Sequence, residues 1–481
     1  MITRRNFIKT LVALSLMPKS ALLAQDTNTS ENFTIPKLET GIREGKDVFY
    51  DLTLQAGSSN ILPNLNTPTW GVNQAFLGAT LKANKGDNVH IKVKNSLNET
   101  TTLHWHGMKL PAEADGGPHQ PIAPNESWLS EYTIIQPAAT TWYHAHQIHK
   151  TGEHVYNGLA GMFIIDDDES EALNLPNEYG VDDIPIIIQD REFNIDGSFS
   201  YIRSRHDQMM GKSGNVILVN GVRNAVLQAK KSLLRLRILN GSNARIYNLG
   251  FDDDRDFIII GTDGGLVEKT ITTNTITLAP AERVEILLNL ANGKNLKLVN
   301  KVLASSQQMG MMAEDSQAFD IFSIDASQAQ SIMQEIPKTL VTHSQIDMKN
   351  VNKRHFELQM TMGSQAMMSG RVFSINDKAM DMERIDEVVK AGSTEIWVVE
   401  NTSMMAHPFH VHNSQFKIIS NSAGIQPHEQ GFKDTVLVNP GSVVEILIKF
   451  PEFKNETVAY MYHCHILEHE DQGMMGQFTT V

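Results

Sequence analysis

Near its end the chain reads Met461-Tyr-His-Cys-His-Ile-Leu-Glu-His-Glu-Asp-Gln-Gly-Met474, and an earlier stretch reads Trp142-Tyr-His-Ala-His146. The two share a Tyr-His-x-His core. On an extended strand, residues i and i+2 point to the same face. His463 and His465 therefore stand side by side, and Cys464 between them points the opposite way. In the earlier copy Ala145 takes the position of the cysteine. Two further pairs, His104/His106 and His410/His412, bring the His-x-His pairs to four. With 18 histidines in 481 residues, random placement gives fewer than one.

A second unit recurs around these pairs. Lys85-Gly-Asp-Asn-Val-His-Ile-Lys-Val-Lys-Asn95 is similar to Ala391-Gly-Ser-Thr-Glu-Ile-Trp-Val-Val-Glu-Asn401, with a weaker copy at Lys230-Lys-Ser-Leu-Leu-Arg-Leu-Arg-Ile-Leu-Asn240. His104 stands nine residues after Asn95 and His410 nine after Asn401; the middle copy has Leu249 there. Apolar residues alternate with polar or smaller ones at Val89, Ile91 and Val93, from Val284 to Leu290, and from Val444 to Phe450, with Gly, Asn and Pro between. This is the pattern of short strands in β-sandwiches. The fold class read from it is all-β, with three sandwich domains at residues 33–168, 178–325 and 353–481. The acidic stretch Asp166 to Glu171 marks the first junction, and Ala326 to Asn352 the second. The middle domain carries only His206 and reads as structural.

The chain is acidic, with a formal charge of −14. That argues against a nucleic-acid partner. Residues 1–25 read as an export signal: Arg4-Arg5 followed by Phe7-Ile8-Lys9, an apolar run from Leu11 to Met17, then small residues to Ala24. The run is too short to span a bilayer, and the Arg pair points to the twin-arginine export machinery and the periplasm. An exported protein commonly uses its cysteines in pairs. This chain has one cysteine, so Cys464 is expected to do chemistry.

The residues around Cys464 say which chemistry. His469 follows it by five residues, Met474 comes five later, and His407 lies just outside the third His pair. Two histidines, one cysteine and a weak axial methionine make an electron-transfer copper site. Zinc fits less well, because its structural sites want more thiolates. The Cys464 backbone joins this site to His463 and His465. The eight imidazoles of the four pairs suit three coppers with open positions for dioxygen.

At this point the chain resembles the multicopper oxidases. The motifs are His104-Trp-His-Gly107, His144-Ala-His146, His407-Pro-Phe-His-Val-His412 and His463 to Met474. The Arg pair, Asp115-Gly-Gly117 and Glu468 to Met475 are most similar to the periplasmic copper efflux oxidases. The resemblance implies three cupredoxin domains and four copper ions. Type 1 copper would take His407, Cys464, His469 and Met474. Type 2 would take His104 and His410. The type 3 pair would take His106, His144, His146, His412, His463 and His465. The cluster would lie between the first and third domains and reduce O2 to water. Asp115 and Glu470 match positions to which the family assigns proton supply; each also reads as a carboxylate orienting an imidazole.

The electron donor is the open part. Twenty-two methionines cluster at Met309, Met311 and Met312, at Met360, Met362, Met367 and Met368, and at Met404 and Met405. Thioethers suit Cu(I), although methionine is also a core filler. A further labile Cu(I) site using Met405 with Met367 or Met368 is expected. Where the efflux oxidases carry an acid four residues before the first type 1 histidine, this chain has Ser403. The primary expectation is oxidation of Cu(I) by a monomer, in copper tolerance. The alternative is a laccase-like oxidase of phenols or other small donors.

Overall fold

The alternating segments form strands throughout the computed structural model, which describes residues 30–302, 318–332, 335–349, 351–361 and 372–481. The segment 1–25 and Met309, Met311, Met312, Met362, Met367 and Met368 lie outside the described residues. Helices are short; the longest described one, Thr151–Asn157, has 7 residues. Among the described residues no helix is long and apolar enough to cross a membrane.

The sheets fall into three pairs along the chain. The first unit sets the sheet built on Asp47–Ser59, Asn88–Asn95 and Ser127–Thr133 against one built on Thr80–Asn84, Ala160–Asp166, Ala139–His144 and His104–His106. The last unit sets Asn352–Met360, Thr394–Asn401 and Val443–Lys449 against Met475–Thr480, Asn455–Cys464, His407–Val411 and Thr435–Val438. The middle unit repeats the plan with Asp183–Arg191, Leu233–Asn240 and Arg283–Asn289 in one sheet. Before entering the first unit, the strand Glu31–Asn32 pairs in parallel with the middle unit at Ala225 and Val226.

The repeated segment occupies one place in all three units. Asn88–Asn95, Leu233–Asn240 and Thr394–Asn401 each lie parallel to the first long strand of their unit and antiparallel to another. The asparagine that ends each copy is fully buried. The side-chain oxygen accepts the backbone N–H two residues on, from Leu97, Ser242 or Ser403. The side-chain amide donates to two carbonyls: Glu99 and Ile122, Arg245 and Leu278, or Met405 and Val438. Such Asx turns let a short side chain stand in for backbone pairing. Each asparagine thereby fixes the corner from which the chain turns toward the next short strand. In the outer units that strand carries His104 or His410; in the middle unit it is Tyr247–Phe251.

Burial places the site. One continuous apolar cluster runs through the first and last units, from Val48 and Trp105 to Trp397 and Phe478, while the middle unit has its own core around Ile186, Leu236 and Phe322. The first and last units are thus packed as one body, with their histidine strands at the seam.

Replacing Asn240 by Ala removes one such clamp in the unit that carries no candidate ligand. It strands two carbonyls and one N–H, so a loss of about 1–3 kcal/mol is expected. A lowered denaturant midpoint of the metal-free protein checks this; an unchanged midpoint would show the clamp to be dispensable.

Candidate metal centre

His407 opens the strand His407–Val411 and Cys464 closes Asn455–Cys464; these strands are antiparallel neighbours with Phe409 opposite Cys464. His469 stands on the helix Leu467–Asp471. The Cys464 Sγ lies 3.4 Å from His407 Nδ1 and 3.8 Å from His469 Nδ1, and the two Nδ1 atoms are 3.3 Å apart. The three residues and Met474 are fully buried. The Cys464 N–H donates to the Met474 carbonyl at 3.0 Å, tying the axial candidate to the site's backbone. Both outer nitrogens are engaged. His407 Nε2 lies 2.8 Å from Ser403 Oγ, and His469 Nε2 donates to the Met209 carbonyl at 3.0 Å. Phe373 stacks on His469 with ring centroids 4.0 Å apart. Burial pushes the Cys464 thiol up, so a metal that binds there must release its proton.

The other eight imidazoles converge from both outer units. Antiparallel register sets His104 opposite His144 and His410 opposite His463. Close three-residue sets are His106/His144/His465, His146/His412/His463 and His104/His106/His410. His463 Nε2 lies 3.2 Å from Nε2 of both His146 and His412, and His106 Nδ1 lies 3.4 Å from His144 Nε2. Burial lowers the affinity of His106, His144, His146, His410, His412 and His465 for a proton well below the ordinary imidazole value. Neutral imidazoles are the form that ligates a metal. His104 Nε2, His410 Nε2 and both nitrogens of His465 are buried without a hydrogen-bond partner. Protein atoms alone leave these nitrogens unsatisfied, which is costly; metal ions facing them would resolve it.

The outer nitrogens are held by acceptors. Asp115 accepts from His104 Nδ1 through its carbonyl at 2.9 Å and from His412 Nδ1 through Oδ2 at 2.8 Å. Glu470 lies 3.2 Å from Nδ1 of both His146 and His463. Burial alone would raise the Glu470 carboxyl, but the two imidazoles outweigh it and hold it low. Asp434 accepts from His106 Nε2 at 3.0 Å and, through its carbonyl, from His410 Nδ1 at 2.8 Å. The Ala145 and Cys464 carbonyls accept from His144 and His463 Nδ1.

Two family profiles described as multicopper oxidase match residues 53–170 and 336–481. The chain is 38% identical over 434 residues to the multicopper oxidase mco of Staphylococcus aureus, covering 89% of this chain and 87% of that one. The chain belongs to the multicopper oxidase family. It also matches the cell division protein FtsP of Photorhabdus laumondii, 32% identical over 100% of this chain and 98% of the other. The crystal structure of a laccase from Pediococcus acidilactici superposes with a TM-score of 0.84 at 34% identity, covering 94% of each chain. This multicopper oxidase is an all-β, cupredoxin-like protein and a copper-dependent oxidoreductase. Thiolate, thioether and imidazole donors suit copper.

Of the residues singled out in the sequence, the ten histidines, Cys464, Met474, Asp115 and Glu470 come together at these two sites. Met405 does not offer itself to solvent: it is fully buried, while Met404 beside it is 54% exposed. Met367 and Met368 lie outside the described residues. Several partners escape any motif. Asp434 and Arg283 are 151 residues apart in sequence, and Met209 acts through its backbone. Trp142, stacked on His144 at 4.1 Å, sits in the quoted motif but gave no sign of that role.

The depressed imidazoles set a pH dependence. His469, pushed down by burial to about 3, and the buried His106, His144, His146, His410, His412 and His465 refuse protons that the unfolded chain accepts near the ordinary value of about 6.5. The unfolded state binds more protons in that range, so stability rises with pH. The unfolding midpoint of the metal-free multicopper oxidase should fall as the pH is lowered from 7 to 5; a flat profile would contradict the burial.

Proposed function

We propose that this chain couples one-electron oxidation of Cu(I) to the four-electron reduction of O2 to water. Its type 1 site is His407, Cys464, His469 and Met474. The type 2 copper falls to His104 and His410, and the type 3 pair to His106, His144, His146, His412, His463 and His465, giving four coppers. Copper bound in these places supplies one-electron oxidation of the donor and multi-electron reduction of dioxygen. The observation that carries the reading is the two-faced Cys464 segment. Its sulfur faces His407 and His469, while the flanking His463 and His465 face the other imidazoles. One stretch of backbone joins the two groups.

The protein's own residues have defined parts. Ser403 and the Met209 carbonyl hold the outer nitrogens of His407 and His469, so that Nδ1 of each faces Cys464. Dioxygen reduction consumes four protons, and carboxylates at the cluster are suited to deliver them. Asp115 keeps Oδ1 free of a hydrogen bond, 3.5 Å from His104 Nδ1, and Glu470 stands 3.2 Å from the Nδ1 atoms of both His146 and His463.

The covered type 1 imidazoles favour a small donor over a bulky phenol. His407 and His469 are fully buried and their outer edges are occupied. The thioethers of the exposed Met404 and the half-buried Met209 and Met210 lie on segments next to the site. The likeness to a laccase keeps phenol oxidation as the second reading. The cell-division relatives raise a role in cell division, while the donor set favours oxidase chemistry. Residues 1–25 support twin-arginine export to the periplasm.

The test is oxygen uptake by the copper-loaded protein with Cu(I), Fe(II) and a phenol in parallel. Cu(I) should give the fastest uptake, and Cys464→Ser should abolish both the blue absorption and the uptake while keeping the fold. A phenol rate well above the Cu(I) rate, without added copper, would favour the laccase reading. Uptake retained in Cys464→Ser would overturn the scheme.

A further inference from the structure

Among the seven cluster imidazoles whose outer nitrogen meets a polar partner, six turn Nδ1 outward. His106 is reversed: its Nε2 meets the Asp434 carboxylate and its Nδ1 faces His144. An imidazole is nearly symmetric in shape, so its orientation is fixed only by what each nitrogen meets. Asp434 is the acceptor that selects the reversed orientation, and its carbonyl also holds His410. One residue thus touches a ligand of each class in the cluster.

Asp434 is in turn held by the middle unit. Arg283 opens the strand Arg283–Asn289 and is fully buried. A guanidinium has five N–H donors in a fixed fork, and Arg283 uses all of them. Nη1 donates to Asp434 Oδ1 at 2.8 Å and to the Ala281 carbonyl at 3.1 Å. Nη2 donates to Asp434 Oδ2 at 2.7 Å and to the Asp263 carbonyl at 2.9 Å. Nε donates to the Thr140 carbonyl of the first unit at 2.9 Å. Behind this pair, the buried Lys433 Nζ lies 2.9 Å from both Asp263 Oδ2 and Glu282 Oε1.

A second observation comes from the first histidine motif. Gly107, which follows His106, has φ +85°, and a Cβ there would stand 2.6 Å from Asp434 Oδ2 and 2.7 Å from Arg283 Nη2. The glycine of His104-Trp-His-Gly107 makes room for this ion pair. The ligand motif and the middle unit are therefore fitted to each other.

We infer that Arg283 and Asp434 are positioning residues of the metal cluster, through which the ligand-free middle unit sets the orientation of His106 and His410. This rests on the reading that the eight imidazoles hold copper. Lysine at position 283 keeps the charge but cannot form the bidentate pair, and Asn at 434 weakens the acceptor that holds His106. Removing such outer partners of ligating histidines weakens metal affinity by about 10- to 100-fold.

The experiment compares wild type, Arg283→Lys, Asp434→Asn and a control, Arg235→Lys. Arg235 pairs with Glu285 in the buried part of the middle unit and touches no cluster imidazole. Copper retention is measured by chelator competition, cluster geometry by electron paramagnetic resonance of the type 2 copper, and stability by unfolding of the metal-free forms. The expected result is about 10- to 100-fold weaker cluster retention and an altered type 2 spectrum in Arg283→Lys and Asp434→Asn, with the blue absorption at Cys464 kept. Arg235→Lys should lose stability with its type 2 spectrum unchanged. Wild-type retention and spectrum in both test variants would overturn the inference. Failure of the wild type to take up copper would instead overturn the proposed function.

Discussion

An imidazole buried in a protein has two nitrogens to satisfy, and that constraint organises the molecule. All ten candidate ligands are essentially excluded from water. For nine of these imidazoles the protein supplies a polar partner for the outer nitrogen and leaves the inner one for a metal; His465 has no partner at either nitrogen. The acceptors come from every part of the fold: the Ala145 and Cys464 carbonyls within the ligand strands, Asp115 on the loop after the first motif, Glu470 on a helix, and the Met209 carbonyl from the middle unit. The strands place the rings near one another. The acceptors decide which atom of each ring faces inward, and through it which metal arrangement is possible.

Strand geometry accounts for the link between the two sites. Because neighbouring side chains alternate, Cys464 and its flanking histidines separate onto two faces without any special backbone. The same register sets His410 against His463 and His104 against His144. The shared apolar cluster of the first and last units then presses both histidine strands to one seam. No single unit holds the cluster; it exists only where two sandwiches meet.

This explains what could be read in advance. The ligands were legible because a two-residue period and a repeated segment make them visible within a few residues. Asn95, Asn240 and Asn401 were visible as a repeat, but their clamp was not, since the carbonyls they bind lie up to 38 residues away. Asp434 was harder still: its ligand partner His106 is 328 residues distant and its cation comes from another unit. A lone Asp just before a strand, or a lone Arg at the start of one, carries no periodic or spacing signal. Met405, expected at a Cu(I) site with Met367 or Met368, is fully buried, and the Asn401 side-chain amide holds its carbonyl.

The middle unit illustrates how a domain without ligands can still belong to a metal site. Its ties to the first unit run through buried charge: Glu285 accepts from the Thr140 hydroxyl and Arg237 donates to it, while Arg237 also pairs with Asp183. Breaking one partner of such a set is costly, because the remaining charge stays buried. The middle unit is therefore held in one place relative to the first. From that place Arg283 reaches Asp434 beside the clustered imidazoles, and the helix Arg205–Met210 covers His469 beside Cys464. With no His-x-His pair of its own, this unit gives its interface to charges and carbonyls that hold candidate ligands of the other two.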